Sequence, residues 1–191
     1  MSEAELVEKI QSGDMNALGE IFKIYKNQAL KYSYLITNDK FTSEDIVQEA
    51  FIKCYCSAKS LKNVEHFKAW FFKILTRIAW KRVGKDKKTL PLDNIFEKVD
   101  DESIDKSINM YIRNQEEEIL HGEIENLDLK QKTAIVLVYF NGLNIKEIAK
   151  IMGCFEGTVK SRLYSARKKL KKSLLNNEED KSVYVKECKS Q

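Results

Sequence analysis

Apolar residues return every three or four positions along most of this chain, the period of a helix face rather than of a strand. The sharpest case is NIKEIAKIMGCFEGTVKSRLYSARKKLKK, residues 144–172. Ile145, Ile148, Ala149 and Met152 form one apolar face of a short helix, and Gly153 breaks it. Val159, Leu163, Ala166 and Leu170 then stripe a second helix. Ala149 is small where the two helices must approach, and Gly153 tolerates a tight turn, so the segment predicts a helix-turn-helix. Upstream, Ile119, Ile124, Leu127, Leu129 and the run Ala134–Phe140 supply further helices. The run AIVLVYF is apolar on nearly every side and is expected to be central and buried. In the N-terminal half, Thr42 or Ser43 can cap a helix, with Asp45 three residues after Thr42 as in a capping box. Ile46, Val47, Ala50, Phe51, Cys54 and Tyr55 fill the inner face of that helix. A further helix, from about His66 to Lys88, crowds Phe67, Trp70, Phe71, Phe72, Ile74, Leu75, Ile78 and Trp80 into its turns.

Composition agrees with an all-α fold. One Pro and seven Gly among 191 residues are too few for the turns of a β-sandwich or barrel. At 43% hydrophobic and 32% charged, the chain suits a globular protein that is not a membrane protein. No run of about 18 apolar residues predicts a membrane span. The acidic start MSEAELVEKI lacks the basic-then-apolar order of a secretion signal, so a cytoplasmic location is expected. Cys54, Cys56, Cys154 and Cys188 are scattered, and the first two point apart on a helix, so neither a metal nor another cofactor is expected. His66 and His121 have no nucleophile to partner, and no Gly-rich phosphate loop occurs. The chain is therefore expected not to be an enzyme.

Charge adds organisation that the net value of +4 conceals. From Lys68 to Lys88 eight basic residues face one acid; from Asp93 to Glu118 nine acids face three basic residues; from Glu156 to Lys172 seven basic residues face one acid. Two cationic helical blocks flanking an acidic stretch suggest two DNA-facing modules and a linker. The acidic stretch holds the only Pro, Pro91, and the weakly periodic DNIFEKVDDESIDKSIN. The reading is two small helical domains, residues 1–88 and 113–175, joined by a flexible acidic linker over 89–112, with a loose tail over 176–191.

In the C-terminal module the second helix of the helix-turn-helix would lie in the major groove. Its polar face carries Thr158, Lys160, Ser161, Arg162, Tyr164, Ser165, Arg167 and Lys168. Residues Lys160 to Ser165 are the candidates to face bases, while Arg162, Arg167, Lys168 and Lys171 suit phosphates. In the N-terminal module Lys73, Arg77, Lys81 and Lys85 form a cationic ridge at four-residue steps. The aromatics beside it suit a core, but cations with aromatics also hold unpaired nucleic acid. Lys62 and Asn63 lie in a loop near the ridge. On the preceding helix, Asp45, Gln48 and Glu49 form an exposed face that fits either a basic partner or plain solvent.

The patterns EDIVQEAF, KAWFFKI and EIAKIMGCFEGTVKSRLYSARKKL, with GDMNALGEIFKIY at residues 13–25, resemble the extracytoplasmic-function group of bacterial sigma factors of the sigma-70 family. The resemblance runs over about residues 10–175, as region two, linker and region four. It implies an alternative sigma factor that directs core RNA polymerase to promoters, in an envelope stress response. Asp45, Gln48 and Glu49 match positions that dock the β′ clamp coiled coil. Leu61, Lys62 and Asn63 fall in the loop that captures a flipped base of the minus-ten element, and Lys73, Arg77 and Lys81 on the helix at its upstream edge. Thr158, Lys160, Ser161, Arg162, Tyr164, Ser165, Arg167 and Lys168 belong to the helix that reads the minus-thirty-five element. The apolar part of region four resembles a surface that grips the β flap. A membrane-anchored anti-sigma factor is implied as a further partner. The chain departs from the family pattern at Arg77 (often Asn), Lys81 (often Asp) and Phe155 (often Pro). A polymerase-independent helix-turn-helix operator binder is the alternative reading.

Overall fold

In a computed structural model the chain is described over residues 1–86 and 115–188, with side chains over 1–84 and 119–175. The acidic stretch assigned to the linker lies outside these residues. Four helices make the N-terminal lobe: α1 (Glu3–Gln11), α2 (Met15–Thr37), α3 (Lys40–Ser57) and α4 (Phe67–Asp86), with two 3₁₀ turns, Ala58–Ser60 and Val64–His66, between α3 and α4. A capping box of Ser2 and Glu5 opens α1, and Asp14 caps α2. Asn38 ends α2 at φ 55°, a left-handed conformation that Asn tolerates better than most residues.

The helix stripes read from the sequence point inward. Ile21, Tyr32, Ile46, Phe67, Phe71, Phe72 and Leu75 are fully buried where α2, α3 and α4 pack together. Phe71 sits among Phe51, Tyr25, Phe72 and Phe67 with ring centroids 4.8 to 6.0 Å away, so these rings are core and are not free to stack on bases. The buried Tyr32 hydroxyl is satisfied by Thr76 at 2.8 Å.

The start of α3 differs from the expectation. Asp39, not Thr42 or Ser43, is the cap, its carboxylate accepting from the Thr42 amide at 2.6 Å. Ser43 falls on the same helix side as Ile46, Val47 and Ala50, so it is buried and bonds the Asp39 carbonyl.

The C-terminal lobe comprises α5 (Gln115–Glu125), α6 (Leu129–Ile135), a π-helical turn (Val136–Phe140), α7 (Ile145–Met152) and α8 (Glu156–Cys188). Asp128 caps α6, and an Asn144–Glu147 capping box opens α7. Gly153 ends α7 at φ 62°, where a side chain would be strained. Helix α8 lies across α5, α6 and α7, and Val159, Leu163 and Ala166 on its inner face are buried, as are Ile124 on α5 and Ile148 on α7. The run Ala134–Phe140 is only half as buried as expected. Ala134 to Leu137 are in the core, but the wider π turn shifts the register, and Tyr139 is left 59% exposed. Helix α8 also continues to Cys188 where a loose tail was expected. No Gly or Pro follows Gly157 to stop it, and Lys, Glu and Leu favour its continuation.

The two lobes pack against each other. Helix α4 lies on α7, and α2 on α5, α6 and the π turn.

Candidate functional site

Three surfaces carry the polar residues singled out above. The first is the outer face of α3. Asp45 and Gln48 are exposed and Glu49 is half-buried, because the inner face is taken by Ile46, Val47 and Ala50. Phe41 and Ile52, 66% and 64% exposed, extend the same stripe at helical spacing. Their exposure follows from the helical period Phe41, Asp45, Gln48, Ile52. The carboxylates are not free. Arg82, reaching across from α4, lies 3.7 Å from Asp45 and 3.4 Å from Glu49, and Lys53 lies 2.6 Å from Glu49. The Lys53 ammonium, helped by Arg82 and opposed by partial burial, holds the Glu49 carboxyl below the usual range, so it stays charged. Arg82 is one of the eight basic residues of the Lys68–Lys88 block, and no local pattern marks its crossing to α3.

The second surface is α4 with the loop before it. Arg77 and Lys81 are exposed and Lys73 half-buried, one ridge opposite Phe71, Phe72 and Leu75. The side chain of Lys85, with Lys87 and Lys88, lies outside the described residues. Lys62 and Asn63 are exposed, and Asn63 caps the second 3₁₀ turn by accepting from the Glu65 amide at 3.0 Å. Leu61 is different. It is 8% exposed, and Gln11 ties down its carbonyl at 2.8 Å and that of Ala58 at 3.0 Å. Its side chain anchors the loop to the core.

The third surface is the start of α8. Lys160, Ser161, Tyr164, Arg167 and Lys168 are exposed, while Thr158, Arg162 and Ser165 are half-buried. Arg162 turns back and donates to the Cys154 thiol sulfur at 3.4 Å, so it braces the turn between α7 and α8. Phe155, just before α8, is 86% exposed. This face combines hydroxyls with cations on a helix stiffened by a packed stripe, an arrangement suited to reading duplex DNA edges.

An apolar groove of about 480 Å³ runs between α5, the π turn and α8, lined by Leu120, Ile124, Ile135, Tyr139, Phe140 and Leu174, with Arg167 and Lys171 on its rim. Among the described residues, no cluster of His, Cys, Asp or Glu could hold a metal, and no helix is long and apolar enough to cross a membrane. Cys54 is buried, which pushes its thiol up to about 12 and leaves it unreactive.

Known proteins place these surfaces in a context. The family model described as Sigma-70 region 2 matches residues 21–89, and that described as Sigma-70, region 4 matches residues 117–170. The chain is 31% identical over 185 residues to the ECF RNA polymerase sigma-E factor of Haemophilus influenzae, covering 91% of this chain and 96% of the relative. It is 35% identical over 143 residues to the RNA polymerase sigma factor SigV of Bacillus subtilis, covering 73% and 78%. In fold it is similar to the sigma factor RpoE of Bartonella quintana, solved with the anti-sigma factor NepR, at a TM-score of 0.64 and 20% identity, over 82% of this chain and 95% of that one.

Proposed function

Because the chain belongs to the extracytoplasmic-function sigma factors of the sigma-70 family, we propose how its three polar surfaces divide the work of promoter selection. Asp45, Gln48 and Glu49, with Phe41 and Ile52 at either end, dock the β′ clamp coiled coil of core RNA polymerase. Lys62, Asn63, Lys73, Arg77 and Lys81 hold the minus-ten element as it melts. Flipping one base out costs a few kcal/mol of unstacking, offset by backbone and pocket contacts. Thr158, Lys160, Ser161, Tyr164 and Ser165 read the minus-thirty-five element, with Arg167 and Lys168 on phosphates. Arg162 acts indirectly, by fixing the turn. The apolar groove beside α8 receives the β flap. Polymerase performs the chemistry, and this chain supplies none.

One observation carries the reading: a cationic ridge on α4 and a polar reading face on α8 are both solvent-exposed, on a chain that also exposes an acidic docking stripe on α3. An operator-binding regulator would have no use for that stripe. A membrane-anchored anti-sigma factor is the partner that would restrain such a protein, and the cytoplasm is where it would meet polymerase. The deciding experiment is run-off transcription with core enzyme on a library of random promoters. Selective initiation dependent on this chain is expected. Its absence, together with tight operator binding in a gel shift without polymerase, would favour the operator binder.

A further inference from the structure

Of the Phe, Tyr and Trp side chains among the described residues, Phe155 and Tyr164 are the two most exposed, at 86% and 70%. Both stand at the reading end of α8. A single apolar side chain on a surface needs no explanation, but Phe155 occupies a position where folding favours other residues. Its carbonyl accepts from the Thr158 and Val159 amides at 3.0 and 3.2 Å, which makes it the cap residue of α8. A cap residue is best supplied with a side-chain oxygen that can bond a free amide of the first turn. Ser2, Asp14, Asp39, Asp128 and Asn144 do this for α1, α2, α3, α6 and α7. A phenyl ring cannot. Nor does the ring join the core, whose stripe on α8 begins at Val159. Neither capping nor packing accounts for a Phe at this place.

The surroundings show what the ring would meet. Exposed Lys160 and Ser161 lie between the two aromatics, and Arg167 and Lys168 follow one turn beyond Tyr164. Cations and hydroxyls in this mixture complement a duplex, with its phosphates and polar base edges. The helix advances about 13 Å from Phe155 to Tyr164, close to the roughly 12 Å width of the major groove. A helix entering that groove by its N-terminal end therefore brings Phe155 in at its leading tip. Two residues on, Gly157 contributes no side chain, and the space where one would sit is open. A duplex can approach the backbone closely there. Within the major groove the base edges present hydrogen-bond donors and acceptors, and the thymine C5-methyl is the apolar group that a phenyl ring can cover.

We propose that Phe155 is a specificity-determining residue of the reading face, and that its ring covers the C5-methyl of one thymine in the minus-thirty-five element. The proposal rests on the sigma-factor reading and deepens it. It adds an apolar contact from the turn to the polar contacts made by the helix, and so a preference for thymine at one position that Lys160 and Ser161 do not supply.

The test uses the full chain with core polymerase and the variant Phe155→Ser, which removes the ring and provides a capping hydroxyl. Circular dichroism checks that the variant keeps its helices. The wild-type holoenzyme first selects its promoter from the random library. Each thymine on either strand of the selected minus-thirty-five element is then replaced in turn by deoxyuridine, a change that removes the methyl alone. Competition between substituted and parent promoters gives the ratio of affinities. For the wild type, one replacement should weaken binding about fourfold, as expected for one buried methyl. Phe155→Ser should bind the two promoters equally at that position and respond as the wild type does at every other thymine. A wild type indifferent to every methyl overturns the proposal, whatever the variant does. So does a variant that keeps the full methyl response. If that variant also binds all promoters less well, the ring lies on the DNA backbone; if it captures core polymerase less well, the ring meets a protein surface instead. Selective initiation without methyl sensitivity overturns this contact alone. Failure of the wild type to initiate selectively on any promoter overturns the sigma-factor reading and the contact together.

Discussion

Asp45 and Glu49 sit against Arg82 and Lys53, so an acidic partner-binding face is partly neutralised by its own molecule. Exposed ion pairs of this kind contribute about 0–1 kcal/mol to folding, so reversing their charge should leave the fold intact. Asp45→Lys/Glu49→Lys is expected to abolish capture by core polymerase in a pull-down with the thermal melt nearly unchanged. Arg82→Ala, by contrast, should retain capture, because it removes a competitor for the same carboxylates. Unchanged capture by the charge-reversed chain would remove α3 from the docking surface. On α8, Lys160→Ala/Ser161→Ala should cost about 1–3 kcal/mol of discrimination between the correct minus-thirty-five duplex and a scrambled one, measured by competition. Equal loss on both duplexes would make these residues phosphate contacts. At this scale the sequence was a good guide to which residues are polar and on which helix, because exposure follows the helical period. It was silent on where long side chains go. That Arg82 crosses to α3, that Arg162 folds back on Cys154, and that Gln11 ties down the Leu61 carbonyl are contacts between different elements, and no local pattern encodes them.

Helix α3 illustrates what local signals decide. Asp39, Thr42 and Ser43 all have cap chemistry within five residues, and the choice among them depends on which side of the helix faces the core. Asp39→Ala should destabilise the protein by about 1 kcal/mol, a fall in Tm of roughly 2–4 °C. Thr42→Ala should have a smaller effect, since only its backbone amide takes part in the cap. Equal falls for the two would return the cap to Thr42. The helix-turn-helix was readable in full because an apolar stripe, a left-handed Gly153 and a capping box all agree on the same boundaries. The π turn was not. Seven consecutive apolar residues carry no period, so nothing marks where Val136–Phe140 leaves the α register and turns Tyr139 outward. The far end of α8 was misjudged for the opposite reason. That stretch carries no apolar stripe, yet helix-forming residues without a breaker are enough to continue a helix.

Two lobes were legible from the segregated charge, but their contact was not, since Trp80 reads as one more core aromatic of its own helix. Only its half-buried position and its bond to Thr133 reveal it as a cross-lobe residue. The same contact carries a titratable group. His121 stacks on Tyr34 from α2, with Nε2 buried and lacking a hydrogen-bond partner. Burial holds its pKa below the ordinary 6.5; Lys132 from α6 acts in the same direction, and Glu125 on its own helix opposes them. When the lobes part, His121 regains water and titrates near its ordinary value. The open form therefore binds the proton more readily than the closed form, and closure must weaken as pH falls. The stabilisation is complete above about pH 6.5 and is lost progressively below it, as His121 charges next to the buried Lys132. Scattering between pH 7.5 and 5.5 should show the free wild type expanding over this window. His121→Phe, which keeps the stacked ring and removes the proton site, should stay compact throughout. The same expansion in both proteins would assign the pH response to other groups, whereas expansion confined to the wild type would make His121 the residue through which acidity reaches the contact between the lobes.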